Sequence, residues 1–145
     1  PFKGRLMSER GVPYFSSVSK NFGQPSGAGH PGLLKQCGGN FHTDKEENPW
    51  AAIMLVRPAM VSGVVVVCTS NNTGRLNNMH IQVSEDGESW TDVGPAAAPY
   101  SGEVMRFDMG AEADWPRAKY VRVIRDGGPE FFHLRGIYVY GKKAA

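Results

Sequence analysis

The run GVVVVCT, Gly63 to Thr69, constrains the fold of this chain more than any other stretch. β-Branched residues lose side-chain freedom in a helix and pack well on a pleated surface. The run is apolar at successive positions, so both faces of the extended chain need cover, as in a central strand. It falls far short of the ~18 consecutive apolar residues that suggest a membrane span. A chain built round it must supply neighbouring strands and a second layer.

The rest of the sequence supplies them. WAAIMLV, from Trp50, is an apolar run expected to end at Pro58. NMHIQVS alternates, with Met79, Ile81 and Val83 on one face and Asn78, His80, Gln82 and Ser84 on the other. EDGESW reads as a turn in which Gly87 is free to take a positive φ. EVMRFDM, KYVRVIR and GIYVYG complete the series, Val121 and Val123 flanking Arg122, Ile137 and Val139 flanking Tyr138. In the first forty residues VPYFSSV is the one expected strand, and GQPSGAGHPG is loop. No segment carries a 3.6-residue period, and GPAAAPY is too short for a helix between its prolines. With 18 glycines and 10 prolines punctuating 145 residues, the expectation is all-β: a single antiparallel β-sandwich of roughly eight strands, a jelly roll, forming one domain over 1–145. Ile53, Leu55, Val65, Ile81, Val83, Val121, Val123, Ile137 and Val139 are its expected core.

Charge excludes some functions. The 16 basic and 14 acidic residues are spread along the chain for a net +2, which is no electrostatic footprint for nucleic acid. No nucleophile elbow, HExxH or phosphate-binding glycine motif occurs. The carboxylates look like strand-end and loop charges, so no enzyme activity is expected of this chain. It shows no signal peptide and begins abruptly at Pro1, and reads as a piece of a longer protein.

The segments PWAAIML, VSGVVVV, NNMHIQVSEDGESWTDVG, KYVRVIR and LRGIYVYG, taken together, resemble the discoidin, or coagulation factor V/VIII C-type, superfamily. The closest likeness is to family 32 of carbohydrate-binding modules. It covers Gly38 to Gly141, and its most specific piece is Ile81 to Trp90 followed by Lys119–Tyr120–Val121–Arg122. The resemblance implies a galactose-binding-domain-like jelly roll that binds galactose or N-acetylgalactosamine on glycans. It implies a non-catalytic, secreted or cell-surface module, bacterial in origin, covalently linked to the catalytic domain of a larger glycoside-active enzyme and monomeric when isolated.

It also implies site residues. Phe41–His42–Thr43 matches a segment whose histidine hydrogen-bonds a sugar hydroxyl in sugar-binding relatives. An imidazole donates from one nitrogen and accepts at the other; the plainer reading of His42 is a solvated loop histidine. Relatives place an aromatic platform before the last strand, where Phe131 falls. Adjacent residues of an extended chain point to opposite faces, so Phe131 is expected outside and Phe132 in the core. The family arginine position falls at Cys68 or Thr69, and neither replaces a guanidinium. Asn71, Asn72 and Arg75 remain as polar candidates, the asparagines being equally at home in a turn and Arg75 as a solvated loop charge.

The structural calcium of many relatives is expected to be absent, and no other cofactor is implied. The aspartate position falls near Leu34–Lys35 and the glutamate position at Gly136, so two carboxylates are missing. For Cys37 and Cys68, one disulfide and two free thiols are both open. Two other functions stay in play. A structural or protein-docking sandwich is favoured by the missing arginine. A membrane-surface module is disfavoured by the lack of a loop of paired aromatics with lysines.

Overall fold

The computed structural model describes residues 2–16, 41–68 and 73–145, with the backbone alone at positions 41, 42 and 98. Among the described residues are nine strands: β1 (Arg5–Leu6), β2 (Val12–Phe15), β3 (Phe41–His42), β4 (Trp50–Cys68), β5 (Met79–Ser84), β6 (Thr91–Ala98), β7 (Val104–Asp108), β8 (Arg117–Arg125) and β9 (His133–Lys143). Every pairing is antiparallel, along the path β1-β9-β4-β8-β5-β6, with β2 and β7 also on β4 and β3 also on β9.

β4 makes this path a sandwich. Its first part, Trp50 to Met54, pairs with β2 and β8; its last part, Gly63 to Cys68, pairs with β7 and β9. One strand thus belongs to both layers, and the two expected runs WAAIMLV and GVVVVCT are parts of it. Pro58 does not end the strand as expected. It sits where the β4–β8 register shifts between Met54 and Ala59, a place where no ladder N–H is required of it. Its carbonyl still accepts from Ala144 N at 3.1 Å.

The alternation expected from the sequence decides the core. All nine expected residues are buried, joined by Val64, Val66, Leu76, Met79, Phe107, Phe132 and Leu134 among others. Three strands escaped the reading, among them β3, two residues long where a loop was expected. β1 is two residues long and carries no pattern. β6 runs through Gly94 and Pro95, which look like strand breakers. Here they form a wide bulge: Val93 faces Ile81, yet Ala98 faces Met79. Gly94 takes φ +71°, and a Cβ there would stand 2.9 Å from Met109 Cε.

Residues of Ile81–Trp90 and Lys119–Arg122 come together with Trp50 round one guanidinium. The Arg122 guanidinium carbon lies 4.1 Å from the Trp90 ring centre and 5.2 Å from that of Trp50. Its Nε donates to Gln82 Oε1 at 2.7 Å, and Gln82 Nε2 donates to Asp92 Oδ1 at 2.7 Å. Residues from β4, β5, β8 and the turn after β5 therefore meet at one guanidinium, and β6 joins them through Gln82. Burial lowers the Arg122 pKa, against the opposite pull of Tyr14 and Asp92. Arg122→Ala is expected to cost about 1–3 kcal/mol, from two cation–π contacts and one partly buried hydrogen bond. Arg122→Lys should recover less than half of that loss in a thermal melt, because an ammonium cannot lie flat on an indole.

The turn after β5 is held by side chains. Asp86 Oδ1 accepts from Ser84 Oγ at 2.9 Å and from Glu88 N and Ser89 N at 2.8 Å each. Gly87 has φ +83° as expected. The Ser89 and Glu88 amides, then the Ser84 hydroxyl, hold the Asp86 carboxyl down at about 2. A depressed carboxylate contributes stability above its unfolded pKa, ~3.9, and loses it as pH falls through the folded value. The melting temperature should therefore fall between about pH 4 and 2. Asp86→Ala, already without the turn bonds, should show a shallower fall over that window. An equally steep acid limb in the variant would place the sensitivity elsewhere.

Candidate functional site

The end of the sandwich where β4 begins, β5 begins and β8 ends gathers the sequence candidates. After β4 the chain re-enters at a 3-10 turn, Thr73–Leu76. Leu76 is fully buried and pins it to the core. Asn77 continues the anchor, accepting from Tyr100 N at 2.7 Å through its side-chain oxygen. Arg75 is thereby presented at the surface of the turn.

Opposite it is the segment joining β8 to β9, laced to the strand-free stretch after β3. Gly127 N donates to Asn48 Oδ1 at 3.0 Å, and Asn48 N donates to Gly127 O at 3.2 Å. Glu46 and Glu130 exchange backbone hydrogen bonds. Thr43 N donates to Phe132 O at 2.8 Å, and Phe132 N donates to Thr43 Oγ1 at 2.9 Å. β3 then pairs with β9, Phe41 opposite Leu134 and His42 opposite His133. The Phe-His-Thr segment is thus a strand addressed to β9, which places position 42 beside the Phe131–His133 run.

Phe131 and Phe132 divide as the alternation predicts. Phe132 is fully buried, whereas Phe131 is half-buried. The Arg75 guanidinium carbon lies 4.9 Å from the Phe131 ring centre, and Arg75 Nε stands 3.5 Å from Glu130 Oε1. That same Glu130 oxygen accepts from Phe131 N at 2.8 Å. Arg75 is therefore no solvated loop charge; one carboxylate and one ring fix its position. Glu130 was not foreseen, and its signal was its place directly before the expected platform.

A second polar group borders this end. His80 is only 8% exposed although it occupies the outward face of β5. Its Nε2 is 3.1 Å from Asp92 Oδ1 and its Nδ1 is 3.1 Å from Asp126 Oδ2. The Asp126 approach lacks hydrogen-bond alignment. Asp92 is held below the usual carboxylate range, first by the Gln82 amide and then by His80. The histidine joins the Arg122 network to Asp126, where the segment carrying Phe131 starts.

The structure brings Arg75 and Phe131 into contact and sets the backbone of His42 on the neighbouring strand. Asn71 and Asn72 lie outside the described residues, as does Cys37. Cys68 ends β4 as a free, buried thiol, its pKa pushed up to about 12 by burial and by Glu103. It pairs with Leu134, so it lies two strands from Phe41. Among the described residues no cluster of three His, Cys, Asp or Glu could hold a metal. With Leu34, Lys35 and Gly136 at the expected calcium positions, the donors do not fit a family-type ion.

Comparison with known families decides the lineage. The model of the F5/F8 type C family described as the NedA-like, galactose-binding domain matches residues 38–123. The chain belongs to this family. Comparison with curated proteins finds no match. Among solved structures, a fucolectin from striped bass serum superposes with a TM-score of 0.75 at 17% identity. That match covers 99% of this chain and 50% of the lectin, so the module spans about half of that relative's length. A Clostridium perfringens family 32 carbohydrate-binding module, solved with GalNAc-β-1,3-galactose, gives 0.74 at 14% identity over 94% of this chain and all of its own. A fucose-binding module of Streptococcus pneumoniae gives 0.71 at 20% identity over 96% of both chains. At these identities the likeness establishes the galactose-binding-like fold. Among the described residues no helix is long and apolar enough to cross a membrane.

Proposed function

We propose that residues 1–145 form one non-catalytic carbohydrate-binding module that takes a terminal sugar at the loop end described above. The observation that carries this reading is the Arg75–Phe131–Glu130 unit beside β3. It sets a forked donor, an apolar ring and a carboxylate acceptor within one surface. A pyranose offers matching groups: hydroxyls that donate and accept, and a C–H face that packs on an aromatic ring. His42, Asn71 and Asn72 complete the proposed ligand set. The family match supports a glycan as ligand, and the galactose type is our first choice. The fucose-binding modules among the neighbours make fucose the sugar to test against it.

In this reading the module is extracellular, needs no cofactor, and delivers a covalently linked glycoside-active domain to its substrate. One observation favours a protein-docking sandwich instead: the Arg75 guanidinium already has Glu130 as a partner. Saturation-transfer NMR with galactose, N-acetylgalactosamine, fucose and a Lewis b oligosaccharide separates the two. Binding is expected at about 0.1–1 mM for a monosaccharide, which buries little surface. No transfer from any of the four at millimolar concentration would leave the docking reading standing.

A further inference from the structure

β4 leads from the loop end to the opposite pole, and a second cleft lies there. Arg5, Arg10 and Arg57 line it together with Glu9, over a floor that includes Leu6 and Val56; its volume is about 420 Å³. All three arginines are exposed, and among the described residues none has a carboxylate within ion-pair distance. The neighbouring cations of this pole differ in that respect: Arg117 is paired with Glu85, and Lys142 with Glu112. Lys119 adds a fourth charge at the rim, its Nζ donating to the Val56 carbonyl at 2.9 Å. Three arginines thus face a single carboxylate in one concavity, with Lys119 bonded to the Val56 carbonyl beside it, on a chain whose charges nearly cancel.

We infer that this cleft is a second binding site, for a saccharide bearing a tetrahedral oxyanion, a sulfate or phosphate ester. A planar guanidinium presents two parallel N–H donors that match two oxygens of such a group, and several forks can share one ester. The size lies in the range of small-ligand sites, about 300–1,000 Å³, so a sugar ring fits with its ester. The concave shape favours a discrete ligand over a bilayer, since charges set round a hollow do not meet a flat surface together. The cleft is formed by the β1–β2 turn and the bend of β4, so it shares no residue with the loop end. The inference therefore stands or falls separately from the sugar reading of Arg75 and Phe131.

The test is amide-resolved NMR titration of the full chain with galactose 6-sulfate, galactose 6-phosphate and galactose, at two salt concentrations. Both esters are expected to shift amides of residues 5–10 and 56–57, and galactose is not. Arg10→Ala combined with Arg57→Ala should weaken ester binding at least about tenfold without changing the melting temperature, since both side chains are exposed and unpaired. Raising the salt should weaken it in the parent chain. A response to one ester alone would name the source and keep the site. No shifts at these residues, an undiminished affinity in the double variant, or binding to phosphatidylserine vesicles without any response to the esters would overturn the inference.

Discussion

Phe132→Ala is expected to cost about 3–5 kcal/mol, enough to lower the melting temperature by ten degrees or so, whereas Phe131→Ala should leave it nearly unchanged. The two residues are neighbours of the same type, so hydrophobicity cannot separate them. Position in the pleat does. Phe132 is fully buried in the core, and its amide and carbonyl are both taken by Thr43. Truncating it removes a ring from a close-packed interior and leaves a cavity whose walls are strands held by their ladders, which cannot collapse far. Phe131 is half-buried beside Arg75 and contributes a cation–π contact at the surface, worth about 0.5–1 kcal/mol. Thermal melts of the two variants side by side give the answer. Equal losses would mean that Phe131 is a core residue and would remove the platform from the proposed site.

That division was legible because it depends on a period of two, which any extended segment obeys. The same period identified the core of β5, β8 and β9, where alternate residues are apolar. It misled where the backbone departs from the ladder. Pro58 reads as a strand end until the register shift beside it is known, and Gly94–Pro95 reads as a break until Val93 and Ala98 are seen facing Ile81 and Met79. His80 falls on the outward face by alternation, yet it is buried, with Asp92 and Asp126 approaching it from other elements. Contacts between distant segments carry no local signal. Arg75 and Glu130 meet because the turn before β5 and the segment before β9 end at the same pole, and only the topology says so. The resemblance to a family supplied Phe131 and His42 as candidates; it did not supply Glu130 or the paired state of Arg75.

Sugar binding is expected to fall below detection in Phe131→Ala and in Arg75→Ala, with the fold retained in both. For a ligand bound at about −4 to −5.5 kcal/mol, little affinity is available to lose. Arg75 offers hydrogen bonds from a charged donor, worth about 1.5–3 kcal/mol, and Phe131 offers the face on which a C–H surface packs. The two are coupled. Without the ring, Arg75 loses the contact that orders it; without the guanidinium, Glu130 keeps only the Phe131 amide as partner. The double variant should therefore be no worse than the sum of the single ones, and the coupling can be read from a double-mutant cycle on a tighter, oligosaccharide ligand. Glu130→Gln separates positioning from charge: the amide oxygen still accepts from Phe131 N and Arg75, so binding should weaken only severalfold. His42→Ala should also lose binding. Titration calorimetry on the parent and the alanine variants tests each step. Undiminished binding in both Phe131→Ala and Arg75→Ala would move the sugar away from this end of the sandwich.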